Sequence, residues 1–191
     1  MVFADRNKTG KNKILLVTGY SGSGKSELAN MLREEFDGAV VSTGGVMRAI
    51  ANERGFERLS EFIATVGVRD SFGIARDSIV DKINTLISSN VIVDGMYDCV
   101  LADMIVNRFG KRNICVIDVL ADASVRIERV AARNRTDIAG GVKEVIRRDL
   151  IKVNAGINEV ILRSDFIIKN NSGVNELRVK SHSLTRCVFD G

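Results

Sequence analysis

The chain of 191 residues contains no tryptophan and no proline, and aromatic residues make up only 5% of it. Without a basic run interleaved with rings there is no stacking platform for bases, so nucleic acid is not expected as the main partner. The missing proline removes one class of turn signal, and turns must be read from glycine and polar clusters. No apolar stretch is long enough to span a bilayer. The polar segment from Met1 to Asn12 has no hydrophobic core and is read as a short disordered leader, not a secretory signal. Three scattered cysteines, Cys99, Cys115 and Cys187, form no C-x-x-C pair. That excludes a disulfide framework and a zinc site of the usual spacing, and fits a reducing, cytoplasmic setting. The single histidine, His182, stands far from every motif, so no Ser/His/Asp triad can be assembled.

What is present is concentrated in eight residues. Gly19-Tyr20-Ser21-Gly22-Ser23-Gly24-Lys25-Ser26 reads G-x-x-x-x-G-K-S. The apolar run Ile14-Leu15-Leu16-Val17 precedes it as a buried strand would, and Leu28, Leu32 and Phe36 follow at helical spacing. A glycine-rich turn between a strand and a helix lets backbone amides point inward on a phosphate chain, and the helix N-terminus adds positive potential there. Gly19, Gly22, Ser23 and Gly24 would form the cradle, Lys25 would reach the β- and γ-phosphates, and Ser26 would ligate Mg²⁺. ATP and Mg²⁺ are therefore the expected cofactors.

The rest of the chain alternates strand and helix. Short apolar strands are expected at Ala39–Ser42, Val91–Asp94, Ile114–Val119 and Phe166–Ile168. Helices are expected over 44–54, 71–89, 101–109, 124–133, 142–161 (broken near Gly156) and from Val174 onward, with a polar loop over 134–141. Such a pattern predicts a single α/β domain with a parallel sheet covered on both faces and ligands beyond the carboxyl ends of its strands. The motifs lie at those ends. Ser42-Thr43-Gly44-Gly45-Val46-Met47-Arg48 follows the second strand, and Arg48 could grip a phosphate bidentately. Asp94 ends the third strand, where an acid beside a phosphate loop can hold Mg²⁺. Arg126, Arg129 and Arg133 fall near one helical face, Arg135 follows in the loop, and Arg147 and Arg148 stand on the next helix about 100° apart, so one of the last two is expected in the site. Phosphoryl transfer needs such charge stabilisation.

These segments together resemble the nucleoside monophosphate kinases, the adenylate and cytidylate kinases with their archaeal relatives, from about Lys13 to Leu177. Ser42-Thr43-Gly44-x-x-x-Arg48 resembles their S-T-G-x-x-x-R acceptor segment, and Asp94-Gly95 the start of D-G-x-P-R. Glu128-Arg129-x-x-x-Arg133 resembles the E-R-x-x-x-R at the lid, and Ser164-Asp165-Phe166-Ile167-Ile168-x-Asn170 the A-D-x-x-I-x-N strand. The resemblance implies a P-loop fold with a five-stranded parallel sheet in the order 2-3-1-4-5, an acceptor-binding insert over about 44–89 and a lid over about 134–141. It implies that Thr43 and Arg48 hold an acceptor monophosphate and that Arg129 and Arg133 lie over the donor nucleotide. Arg147 or Arg148, with Arg148 the chosen candidate, would clamp the transition state. One departure stands out: Asp98 occupies the place of the family's arginine, next to an expected acceptor phosphate that it would repel. Arg69 and Arg76 are the candidates to supply the lost contact. The implied activity is ATP-dependent phosphorylation of a nucleotide or nucleotide-like small molecule. The alternatives are a dephospho-CoA kinase-like enzyme, which needs a general base that has no clear place here, and a P-loop regulator or assembly ATPase without a small acceptor.

Overall fold

The computed structural model describes residues 12–134 and 138–190. Five parallel strands stand in the order β2-β3-β1-β4-β5. They are β1 (Ile14–Thr18), β2 (Ala39–Ser42), β3 (Val91–Asp94), β4 (Ile114–Leu120) and β5 (Phe166–Lys169). The expected fold class and strand order are therefore observed. The central strands are apolar without alternation because both of their faces are covered. Ile14, Leu16, Val91, Val93 and Val116 face one core, and Leu15, Val17, Ile92, Cys115 and Ile117 face the other.

The second of these cores is closed by α1 (Lys25–Phe36) and α9 (Val174–Asp190), through residues such as Leu28, Leu32, Leu177 and Leu184. The first is closed by α2 (Thr43–Glu53), α3 (Leu59–Val66), α4 (Val68–Leu86) and α5 (Cys99–Phe109), with α8 (Ile157–Ile161) beside them. The remaining helices, α6 (Ala123–Asn134) and α7 (Ile138–Ala155), pack on each other as a hairpin, with α7 also against α4 and α8.

The register aligns Ser42 with Asp94, and Asp94 with Val17. The chain thus leaves three neighbouring strands at one level, and the segments that follow them share one edge of the molecule. This alignment builds the site.

Several expectations need correction. Helix α3 lies in the insert that the resemblance implies is helical, in a stretch where the sequence pattern marks no separate helix; it is short, and only Phe62 and Ile63 are buried on it. Helix α4 begins at Val68 rather than Ser71. Helix α7 begins at Ile138, inside the expected loop over 134–141; residues 135–137 of that loop, Arg135 among them, lie outside the described residues, as does the leader through Lys11. The glycine responsible for the misreading is a packing residue: a Cβ on Gly141 would stand 2.9 Å from both the Ala131 Cβ and the Ile127 carbonyl oxygen of α6. After α1 it is Asp37 (φ 48°) that adopts the left-handed cap, not Gly38. The break expected near Gly156 is where α7 ends and α8 begins.

Candidate active site

The loop Gly19–Gly24 turns through three left-handed glycines, Gly19, Gly22 and Gly24. All three are also held by close neighbours, a Cβ on Gly19 meeting the Val119 carbonyl oxygen at 2.6 Å. A Cβ on Gly22 would meet the Arg126 carbonyl oxygen at 2.6 Å, and one on Gly24 would meet the Asn170 amide nitrogen at 2.2 Å. Asn170, the final residue of the A-D-x-x-I-x-N resemblance, donates from Nδ2 to the Ser23 carbonyl at 2.8 Å. Strand β5 thereby fixes the loop from below.

The hairpin α6–α7 fixes it from the side. All three polar handles of Ser21 are taken: its N–H donates to Asp149 Oδ1 at 2.9 Å, its carbonyl accepts from Arg126 Nη1 at 3.1 Å, and its hydroxyl accepts from Lys152 Nζ at 2.5 Å. Arg126 also donates to Asp149 Oδ2 at 2.6 Å and lies over the Tyr20 ring, whose hydroxyl donates to Asn158 at 2.7 Å. Burial pushes the Asp149 carboxyl up, but the Ser21 amide and Arg126 outweigh it and hold it below the usual carboxylate range.

A cavity of about 720 Å³ opens from this loop. Its donor end is lined by Ser21, Gly22, Lys25 and Ser26, and its far wall by Arg48, Asn52, Glu57, Arg58 and Ser60. Leu59, Ile63, Phe72, Tyr97 and Ile151 give it an apolar side. Arg133, Arg147, Arg148 and Lys152 close it from the α6–α7 hairpin, so cations outnumber the carboxylates Glu57, Asp94 and Glu144. Burial lowers the pKa of Lys25; Asp94 and Asp149 oppose that shift, while Arg133 and Arg148 reinforce it. An anion in the cavity would relieve this excess of positive charge.

The expected site residues divide clearly. Lys25, Ser26, Thr43, Arg48, Asp94, Arg133 and Arg148 all line the cavity. The Thr43 hydroxyl donates to the Gly95 carbonyl at 2.8 Å, and the cap of α2 is Ser42, which accepts from the Gly45 amide. Both Arg147 and Arg148 reach the cavity, where one was expected. Glu144 clamps them at 2.9 and 2.6 Å, and these two guanidinium groups hold its carboxyl at about 2. Arg129 is not among the lining residues. It donates to the Asn170 carbonyl at 3.0 Å and approaches the Gly22 and Ser23 carbonyls at 3.4 Å, bracing the back of the loop.

The expected clash at Asp98 does not arise. Asp98 is buried, caps α5 by accepting from the Val100 and Leu101 amides, and pairs with Arg76 at 2.7 and 3.2 Å. Arg76 is thereby engaged, and neither it nor Arg69 lines the cavity. Sequence reasoning missed Arg58, Tyr97, Asp149 and Lys152. Only Tyr97, next to the Asp94-Gly95 motif, carried a local signal.

Ser26 and Asp94 fit an Mg²⁺ ion. Asp94 Oδ1 is buried and has no hydrogen-bond partner, an arrangement that is costly unless a cation or donor meets it. Both residues open onto the cavity, as a metal shared with bound phosphates requires.

A family model described as an AAA domain matches residues 18–147, from the phosphate loop to the α6–α7 hairpin. A UPF0200 protein of Pyrococcus furiosus is 32% identical over 184 residues, covering 93% of this chain and 98% of that one. The chain belongs to the UPF0200 family. Another UPF0200 protein, from Saccharolobus islandicus, is 30% identical over 83% of this chain and 84% of its own length. The fold of this chain is that of P-loop kinases. A shikimate kinase from Bacteroides thetaiotaomicron superposes with a TM-score of 0.62 at 12% identity, over 92% of this chain and 98% of that chain. A shikimate kinase from Acinetobacter baumannii in complex with shikimate gives 0.58 at 12% identity, over 94% of both chains. At that identity the likeness concerns the fold alone. Among the described residues, no helix is long and apolar enough to cross a membrane.

Proposed function

We propose that this UPF0200 protein is an ATP-dependent kinase that transfers the γ-phosphoryl group to a nucleoside monophosphate or a similar phosphate-bearing small molecule. The observation that carries the reading is the single cavity joining the phosphate loop to a wall bearing Thr43, Arg48, Asn52 and Arg58. A donor site alone needs no such wall. The apolar surface of Leu59, Ile63 and Phe72 beside it suits a base or another flat apolar group.

In this reading the loop amides and Lys25 hold the donor phosphates, and Ser26 and Asp94 would hold Mg²⁺, which when bound would supply charge neutralisation to those phosphates. Thr43 and Arg48 orient the acceptor phosphate; Arg58 takes the place left by the sequestered Asp98 and Arg76. Arg133, Arg147 and Arg148 neutralise the phosphoryl group in flight. Arg129 shapes the loop from behind. Closure of the α6–α7 hairpin and the α2–α4 region over the substrates would exclude water, which otherwise competes as acceptor.

The test is acceptor-dependent ADP formation with MgATP and a panel of ribo- and deoxynucleoside monophosphates and dephospho-CoA. Stimulation by a monophosphate supports the reading. Stimulation by dephospho-CoA alone supports hydroxyl transfer, and stimulation only by protein or DNA supports a regulatory ATPase.

A further inference from the structure

We propose that Lys152 is a second lysine of the phosphoryl-transfer centre, binding the terminal phosphate of ATP together with Lys25. This rests on the reading of the loop as an ATP site. The ammonium of Lys152 lies on the Ser21 hydroxyl at 2.5 Å and faces the Tyr97 ring at 6.0 Å to its centre. Ser21 belongs to the donor loop and Tyr97 to the acceptor side of the cavity, so the charge stands where the two halves meet. The outermost phosphate of a donor must pass that point to reach an acceptor.

The charge there is balanced only in part, by Asp149. The nearest carboxylate oxygen, Asp149 Oδ1 at 3.6 Å, already accepts from the Ser21 amide, and the other oxygen of Asp149 is taken by Arg126. Lys25, which also lines the cavity, repels Lys152, as does Arg126 on α6. Lys25 in turn faces Asp94, Arg133 and Arg148. Lys152 is buried, yet it lines the cavity. Burial first, and then the repulsion from Lys25, lower its pKa to about 7. A buried lysine left short of negative charge and open to a cavity is a site for an anion. Serine hydroxyl and aromatic face hold the ammonium in place until the phosphate arrives. A lysine here adds to the charge that the arginines bring, because its ammonium is a compact point charge suited to one phosphate oxygen.

The experiment compares ATP and ADP binding by calorimetry, with Mg²⁺, for wild type, Lys152→Met and Lys152→Arg. Loss of one charge-assisted hydrogen bond should weaken ATP binding about 10- to 100-fold in Lys152→Met while ADP binding changes less than about threefold. Lys152→Arg should retain most of the preference for ATP. Above pH 7 the wild type should take up a proton on binding ATP, and Lys152→Met should lose that uptake, because the phosphate raises the ammonium's pKa. Equal losses for ATP and ADP would mean that Lys152 only shapes the loop, and unchanged ATP binding would place it outside the centre; either result overturns the proposal. Neither depends on an acceptor. A wild type that shows the ATP-selective pattern but phosphorylates nothing would sink the kinase reading and leave this assignment standing.

Discussion

At the scale of single residues, Asp98 shows how a substitution can change meaning once the fold is known. Beside a phosphate it would be repulsive; as the cap of α5 and partner of Arg76 it is structural. Its role depends on a residue 22 positions away that α4 delivers, so no local pattern in the sequence revealed it. Removing Arg76, as Arg76→Met, leaves Asp98 buried with only its backbone donors and should cost about 3 kcal/mol in urea unfolding. Asp98→Arg, which installs the arginine of the nucleoside monophosphate kinase motif, should destabilise the protein further and not improve acceptor binding. Arg48 makes the opposite case. Its motif was legible, it lines the cavity, and its guanidinium has no hydrogen bond or ion pair with another described residue. Arg48→Ala should weaken acceptor binding by about 2 kcal/mol or more with little change in ATP binding, as read by the acceptor KM.

At the scale of elements, the strands and both helices of the α6–α7 hairpin were legible, but the start of α7 was not. A strand buried on both faces must be continuously apolar, and Ile14–Val17, Val91–Val93 and Ile114–Ile117 are. The start of α7 was hidden because Gly140-Gly141 imitates a loop, whereas Gly141 lets α7 approach α6. Gly141→Ala forces a Cβ onto the Ile127 carbonyl and should cost about 1–3 kcal/mol by the same unfolding measurement. Asp149 and Lys152 looked like ordinary polar positions of a helix, because their partner Ser21 is more than a hundred residues away. The tie between hairpin and loop also carries a pH signature. The Asp149 carboxyl is held below its unfolded value, so its stabilisation is complete above about pH 4 and is lost as the pH falls through the folded value. Asp149→Asn should be less stable than wild type at pH 7 and should show a shallower loss of stability in acid, measured by thermal melts from pH 7 down to pH 3.

At the scale of the whole molecule, parallel strands ending at one level place a phosphate loop, an acid and an arginine-bearing helix around one cavity, and a charged hairpin covers it. The loop was legible from one motif and the hydrophobic runs beside it, and the sheet order from the resemblance to P-loop kinases. The composition of the far wall was not, since Arg58 comes from the turn before a helix too short to leave a period. If the loop holds ATP, MgATP at 100 times its Kd should stabilise the native state by about 2.7 kcal/mol, seen as a raised melting temperature, and Lys25→Ala should abolish most of that shift. The most direct test of the account follows the phosphorus itself. With MgATP and the panel of monophosphates, ³¹P NMR should show the ATP γ-signal replaced by a new diphosphate on one acceptor, at a rate that collapses in Arg48→Ala. If ATP is bound but stays intact with every acceptor, or yields only inorganic phosphate at a rate none of them changes, the protein is not the kinase described.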